Sequence, residues 1–271
     1  MSTDPRLDEI RARIDEIDRK LLDLISERAT LAAEVAEVKR AGGGQITFYR
    51  PEREVQIIKA VKAANKGPLS GEEIGRLFRE IMSACLALEQ RLDIAYLGPE
   101  GTFTQTAVYK HFGHSVSMLA LPTIDQVFRE VESGTCHFGV VPIENSIEGM
   151  INHTHDLLLT SPLSICGEIE VRIHHFLMNS SGELKAVKKI YSHQQSLAQC
   201  RGWLDNHLPM IERVAVNSNA EAARIAGEQP DAAAVAGDAA AECYSLKLIA
   251  RNIEDDQVAK PIAVPVPASV R

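Results

Sequence analysis

No run of apolar residues in this chain of 271 approaches the ~18 that span a bilayer. The opening MSTDPRLDEI holds none of the apolar core of a secretory signal. Cationic excess is missing as well. The formal net charge is −8 and no region is strongly basic, which argues against general nucleic-acid binding. Cysteine is scarce and unpatterned: Cys85, Cys136, Cys166, Cys200 and Cys243 are odd in number, far apart and never spaced C-x-x-C. That usage suits free thiols in a reducing compartment better than a disulfide framework or a zinc site. Internal repeats and low-complexity stretches are absent too. These absences lead to the expectation of a cytoplasmic protein without membrane, nucleic-acid or metal partners. What remains is 45% apolar and 24% charged, a composition for packed globular structure, with length enough for two domains.

Residues 5 to about 91 read as helix. Leu7, Ile10, Ile14, Ile17, Leu21, Leu24, Leu31, Val35 and Val38 follow one another at steps of three and four, apart from one doubled step. This is the seam of a helix packed lengthwise against another. The predicted helix runs from about Pro5 to Arg40, ~50 Å at the usual rise per residue, with Thr3 or Asp4 as its cap and AGGGQ (41–45) ending it. A second pattern runs from Pro51 to Lys66, and a third starts at Ser70, where S-G-E-E forms a capping box, and continues to about Arg91. One long helix and two short ones leave the far half of the first uncovered, so a dimer is expected to cover it.

The doubled step in the seam falls on Arg28. Alone, a polar residue in such a seam commonly fixes helix register. Lys39, however, lies eleven residues on, ~20° around the helix and ~16 Å along it, on the same face. Arg53-Glu54 and Glu89 add charge where the bundle closes. Buried cations without matching acids favour an anionic ligand, because desolvating them unpaired is costly. Arg28 is therefore read as a ligand-binding residue.

After Leu92 apolar runs alternate with helical patterns. Strands are expected at 94–98, 116–121, 138–143, along one long run ICGEIEVRIHHFLM (165–178), and at 188–193, 211–216, 231–237 and 246–253. Helices are expected from Thr104, over 124–133, near 147–159, after 193 and from Asn219. Interleaved strands and helices predict an α/β sheet with crossovers. The fold class is thus an all-α bundle followed by an α/β domain. Polar residues follow apolar runs in YLGPEGTFTQTA (96–107), VVPIENSIEGMINHTHDLL (140–158) and YSHQQSLAQC (191–200). Isolated serines there would simply cap helices, but three such junctions point to an anion-binding cleft. HTH (153–155) and HH (174–175) lack the cysteine or carboxylate setting of a metal site.

The run RARIDEIDRKLLDLISERATLAAEVAEVK, with YRPEREVQII and RLFREIMSACLALEQ, resembles the all-helical chorismate mutases. The resemblance implies an intertwined homodimer over residues 1–91 that converts chorismate to prephenate without a cofactor. It implies that Arg11 and Arg28 bind the substrate carboxylates, that Lys39 donates to the ether oxygen and that Glu54 takes a hydroxyl. Arg53, Cys85 and Glu89 complete the implied site. Arg11 lies ~25 Å from Arg28 and ~100° around the helix, so one chain cannot bring both to one ligand; the resemblance places Arg11 in the partner subunit. The rearrangement is pericyclic. Its catalysis consists of holding a folded conformer and stabilising charge on the ether oxygen. The chain departs from the family at Cys85, where serine is usual, at Glu89, where glutamine is usual, and at Arg50, where an acid is common. An ionised Glu89 would repel the developing charge, so Glu89 is expected to act protonated.

GPEGTF and PIENS, in residues 94–256, resemble prephenate dehydratase. The resemblance implies a two-lobed α/β domain with a cleft between the lobes lined by Thr102, Glu144, Asn145, Ser146, Ser192, His193 and Gln195, and prephenate as the second substrate. His193 is the tempting general acid, although a histidine after a strand is as often structural. The family's Thr-Arg-Phe motif is expected after RNIEDD (251–256), where this chain reads QVAKPIAVPVPASVR; its last threonine is Thr160 and its last phenylalanine Phe176. The expected consequence is an incomplete dehydratase domain at 94–256, followed at 257–271 by a Pro-rich tail that is extended and unpaired. The regulatory amino-acid-binding domain common in the family is likewise not read in the sequence. Two alternatives stand beside this reading. The α/β part is then a non-catalytic module holding prephenate or an aromatic amino acid, or the helices serve dimerisation only.

Overall fold

The computed structural model of the chain describes residues 4–42, 49–145, 149–255 and 258–266. It divides into two compact units, Met1–Arg91 with Phe112–Val116, and Leu92–His111 with Ser117–Arg271.

The first unit is built on α1 (Pro5–Ala41), α2 (Pro51–Ala64) and α3 (Gly71–Glu89). Asp4 caps α1 by accepting from the Arg6 amide at 3.0 Å, with Pro5 in the first turn, where its missing N–H leaves nothing unsatisfied. Ser70 caps α3 through the Glu73 amide at 3.1 Å. Thr3 and residues 43–45 of AGGGQ lie outside the described residues. α3 packs against both other helices, and Lys62 of α2 lies over Gly75 of α3, where a Cβ would stand 2.7 Å from Lys62 Cε. Along α1 only Ala36 is fully buried. The seam residues from Leu7 to Val38 are 46–73% exposed, so this chain alone does not cover them. Residues 112–116 dock on α3. Glu80 accepts from the His114 amide at 3.1 Å and meets its Nδ1 at 2.8 Å, while Ser83 Oγ accepts from the Ser115 amide at 3.3 Å.

The second unit holds two five-stranded sheets. Its first lobe comprises β1 (Asp93–Leu97), α4 (Phe103–Phe112, whose last residue belongs to the first unit), β2 (Ser117–Leu121), α5 (Ile124–Glu132) and β3 (Phe138–Pro142). A small hairpin follows, β4 (Glu144–Asn145) with β5 (Gly149–Met150), and then α6 (Asn152–Thr160) and β6 (Ser164–Ile173). The second lobe runs through β7 (Phe176–Asn179), β8 (Lys189–His193), α7 (Gln194–Gln199), α8 (Arg201–His207), β9 (Glu212–Val216), α9 (Asn219–Glu228), β10 (Ala232–Ala236), α10 (Asp238–Cys243) and β11 (Lys247–Ala250). The chain then returns to the first lobe as β12 (Val258–Val266). The sheet orders are β2-β1-β3-β12-β6 and β11-β7-β10-β8-β9.

The central parallel strands β1, β3 and β10 are buried, as crossover helices covering a sheet require. In β10, alanines 232, 234 and 236 join one cluster with Phe176, Met178 and the alanines of α9, while Ala233 and Val235 join another with Leu177, Ile190 and Leu204. Alternate residues thus feed opposite faces, and the strand is buried on both. Small side chains on β10 and α9 fit this close helix–sheet approach despite the modest strand propensity of alanine.

Two expectations are corrected. ICGEIEVRIHHFLM is not one strand: it breaks at His174-His175, and its halves β6 and β7 enter different sheets. His175 is held at the break, with its amide donating to Glu254 at 2.9 Å and its Nε2 meeting Gln199 Oε1 at 2.6 Å. The described part of the tail, residues 258–266, is extended but not unpaired. β12 lies between β3 and β6, antiparallel to both, with Ile262 opposite Pro142 and Ile169. Pro261 and Pro265 pair in register only with β6, outside the Ile262–Ala263 span that also borders β3. A missing amide there need not break a ladder on both sides. Among the described residues no helix is long and apolar enough to cross a membrane.

Candidate active site

In the first unit Arg28 and Lys39 on α1, Arg53 and Glu54 at the start of α2, and Glu89 at the end of α3 line one cavity of about 200 Å³. The positions explain the convergence: α1 presents its two cations on one face, and α2 begins where α3 ends. Arg50, the N-cap residue of α2, also lines it, with Ser83 and a wall made by Ile57, Met82, Leu86, Tyr49 and Phe112. The Tyr49 and Phe112 rings lie 5.6 Å apart at 49°. Lys39 Nζ stands 3.3 Å from Glu89 Oε2, with both side chains mostly buried. Arg40 donates to the Glu89 backbone oxygen at 2.6 Å, fixing the end of α3 against α1.

Glu54 is the more enclosed acid of α2. Burial pushes its carboxyl above the ordinary carboxylate range, and the charge and N–H of Arg79, with a hydrogen bond from Tyr49, pull the other way. Arg79 Nε donates to Glu54 Oε1 at 3.3 Å.

Arg11, expected only in a partner's site, and Cys85, expected in this one, do not line this chain's cavity. Arg11 is exposed on α1, paired with Asp8 at 3.5 Å, and does not line the cavity. Cys85 is buried on α3 and is not among the lining side chains either. Tyr49, Ser83 and Phe112 gave no signal in the sequence. They are an aromatic, a hydroxyl and a second aromatic with no telling pattern, and Phe112 lies beyond the helical region altogether.

In the second unit the polar junctions gather at the C-terminal ends of parallel strands, where crossover sheets leave their crevice. The GPEGTF loop follows β1, and Glu144 follows the adjacent β3 and is exposed. From that loop Phe103 closes on Gly237, where a Cβ would stand 2.8 Å from its ring, and Gly101 (φ +82) closes on Ala240. Gly237 ends β10, which runs parallel beside β8, and β8 ends in Ser192-His193. Thr102 Oγ1 donates to the Leu97 carbonyl at 3.3 Å and accepts from the Gln105 amide at 3.4 Å. His193 caps α7, its Nδ1 accepting from the Gln195 amide at 3.4 Å. Gln195 buries its Nε2 without a hydrogen-bond partner among the described residues. Ser192 is fully buried and donates to the Val235 carbonyl at 2.6 Å, so its hydroxyl does not face the crevice. Ser146 and the side chain of Asn145 lie outside the described residues.

Asn219, which the sequence did not flag, organises this end of the sheet. It accepts from the His193 amide at 3.1 Å and donates to Ser196 Oγ at 2.9 Å. Among the described residues no group of three or more His, Cys, Asp or Glu side chains is placed to hold a metal ion.

Residues 94–260 match the prephenate dehydratase family and residues 10–90 match chorismate mutase type II. A bifunctional chorismate mutase/prephenate dehydratase of Stutzerimonas stutzeri is 55% identical over 262 residues, covering 95% of this chain and 72% of its own. One of the same description from Pseudomonas aeruginosa is 54% identical over 259 residues, covering 94% of this chain and 71% of its own. The crystal structure of prephenate dehydratase in complex with L-Phe from Arthrobacter aurescens superposes with a TM-score of 0.60 at 31% identity, over 65% of this chain and 60% of that one.

Proposed function

The chain belongs to the bifunctional chorismate mutase/prephenate dehydratase family, and from that premise we propose how its residues divide the work. The cavity of the first unit binds chorismate: Arg28 and Arg53 meet carboxylates, Lys39 donates to the ether oxygen with Glu89 beside it, and Glu54 accepts from a hydroxyl. The single observation carrying this is the convergence of those five side chains, from three helices, on one cavity of about 200 Å³. Arg28 and Lys39 hold the dianion in its folded conformer, and donors aimed at the ether oxygen stabilise the charge that appears as its bond to carbon breaks.

The apolar seam of α1, left exposed in one chain, supports a homodimer over residues 1–91 in which Arg11 reaches the partner's cavity. Cys85, buried behind the cavity, acts in this reading by packing. The absence of a membrane-crossing helix among the described residues and the scattered free thiols support a cytoplasmic location.

The second unit, from residue 94 onward, receives prephenate in the crevice bounded by Thr102, Glu144, His193 and Gln195. Dehydration with decarboxylation needs a donor to help the ring hydroxyl leave. Residues 257–271 carry neither threonine nor phenylalanine, so dehydratase turnover by this chain is slow. Binding without differential stabilisation of the transition state gives little rate. The test is to supply chorismate to the purified protein and follow prephenate and phenylpyruvate separately. The expected result is rapid prephenate and little phenylpyruvate. No prephenate overturns the mutase assignment, and brisk phenylpyruvate overturns the impairment and returns His193 as the acid.

A further inference from the structure

Glu54 lines the cavity, yet its strongest partner stands behind it. Arg79, on α3, does not line the cavity. It crosses to α2 and donates Nε–H to Glu54 Oε1 at 3.3 Å, with the side chains 28% and 18% exposed. The Tyr49 hydroxyl donates to the same carboxylate. We propose that Arg79 is a positioning residue of the mutase: it fixes the Glu54 carboxylate, ionised and aimed, as the acceptor for a substrate hydroxyl.

The inference rests on the mutase reading and names a residue that reading does not use. Its physical basis is a conflict. A carboxyl accepts a hydroxyl's hydrogen bond about twice as strongly when ionised, but enclosure between α2 and α3 favours its neutral form. Cations facing the cavity do not resolve the conflict. Arg28 and Lys39 on α1, and Arg50 and Arg53 beside Glu54, are the groups a dianionic substrate engages. Glu89, the other acid lining the cavity, is paired with Lys39. Arg79 sits outside the substrate's reach, so its charge stays committed to Glu54 while the substrate comes and goes. Its hydrogen bond to one carboxylate oxygen also restricts rotation of the group, leaving the other edge to the substrate.

The test is the pH profile of chorismate turnover by the full chain in four forms: unaltered, Arg79→Gln, Glu54→Gln and the double variant, with helical content checked by circular dichroism. In Arg79→Gln, kcat/KM is expected to fall about tenfold or more, the worth of a hydrogen bond to a charged group. Its acid limb moves to higher pH by about one unit, the usual effect of removing an opposite charge. In the double variant Arg79→Gln adds no further loss to that of Glu54→Gln, because the two act as one unit. A folded Arg79→Gln protein with an unmoved acid limb, or with a loss that adds fully to that of Glu54→Gln, overturns the proposal. Should Arg79→Gln fail to fold, Arg79→Lys decides: a smaller shift of the same limb supports the role, and no shift overturns it. Failure of the unaltered chain to turn over chorismate is a different result, since it removes the mutase reading itself.

Discussion

Lys39 Nζ lies 3.3 Å from Glu89 Oε2, across the gap between α1 and the last turn of α3. The pairing sets an acid against the cation assigned to the ether oxygen. As a carboxylate Glu89 draws on the charge of Lys39, whereas a glutamine there is a second donor beside it. Glu89→Gln is therefore expected to keep or raise chorismate turnover, and Glu89→Ala to lower it. The check is kcat for the three proteins under one set of conditions. Equal turnover in all three removes Glu89 from the mechanism.

Arg28→Ala is expected to lower kcat/KM about a hundredfold or more, in line with about 2–5 kcal/mol for truncating one partner of a desolvated charge pair. Helical content and oligomeric state stay unchanged, because Arg28 faces the cavity rather than the core. Steady-state kinetics with sedimentation settles the matter. A protein that dissociates while keeping its turnover per folded chain shows Arg28 to be a register residue.

Arg11 and Arg28 occupy different environments on one helix, the first exposed and the second lining the cavity. If Arg11 completes the partner's site, Arg11→Ala and Arg28→Ala chains are each nearly inactive alone. Mixed after subunit exchange, they recover part of the activity, because each heterodimer assembles one intact site. No recovery after exchange has been verified by mass counts against a shared site.

Glu254 gives a prediction about acid stability. Burial pushes its carboxyl up, but the His175 amide at 2.9 Å and His174 Nδ1 at 2.8 Å outweigh it and hold the group below the ordinary carboxylate range. A depressed folded value means stability that is present above the range where the unfolded carboxyl titrates. It is lost as pH falls through the folded value. Glu254→Gln is expected to lower stability at neutral pH by about 1–3 kcal/mol and to flatten its dependence on pH in the acid range. Urea unfolding at several pH values measures both.

The helices were legible because the three-and-four spacing of α1 is long and nearly uninterrupted, and the interruption itself marked the cavity. Strands of the lobes were legible as apolar runs between turns. The break at His174-His175 was not, since both flanks are apolar and no glycine or proline punctuates them. Nor was the pairing of β12, because three prolines argue locally against a ladder while the contacts that create it come from residues far away in sequence. Arg79 was hidden for a similar reason. Beside Glu73, Arg76 and Glu80 it reads as one charge on a solvated face, and only the approach of α2 gives it a partner. Ser192 erred in the other direction: a serine before a helix looks like a cap or a ligand donor, yet it holds β8 to β10 from inside.

β12 sits inside the first lobe's sheet although it is made after the whole second lobe. Until residue 266 has left the ribosome, β3 has one unpaired edge and β6 has no strand of its sheet to pair with. The second lobe, by contrast, draws all its strands from residues 176–250 and has everything it needs earlier. Synthesis therefore delivers a finished second lobe attached to an open first one. The nascent chain is most vulnerable to mispairing and chaperone capture in that interval, and a ribosome stalled before 258 would hold it there.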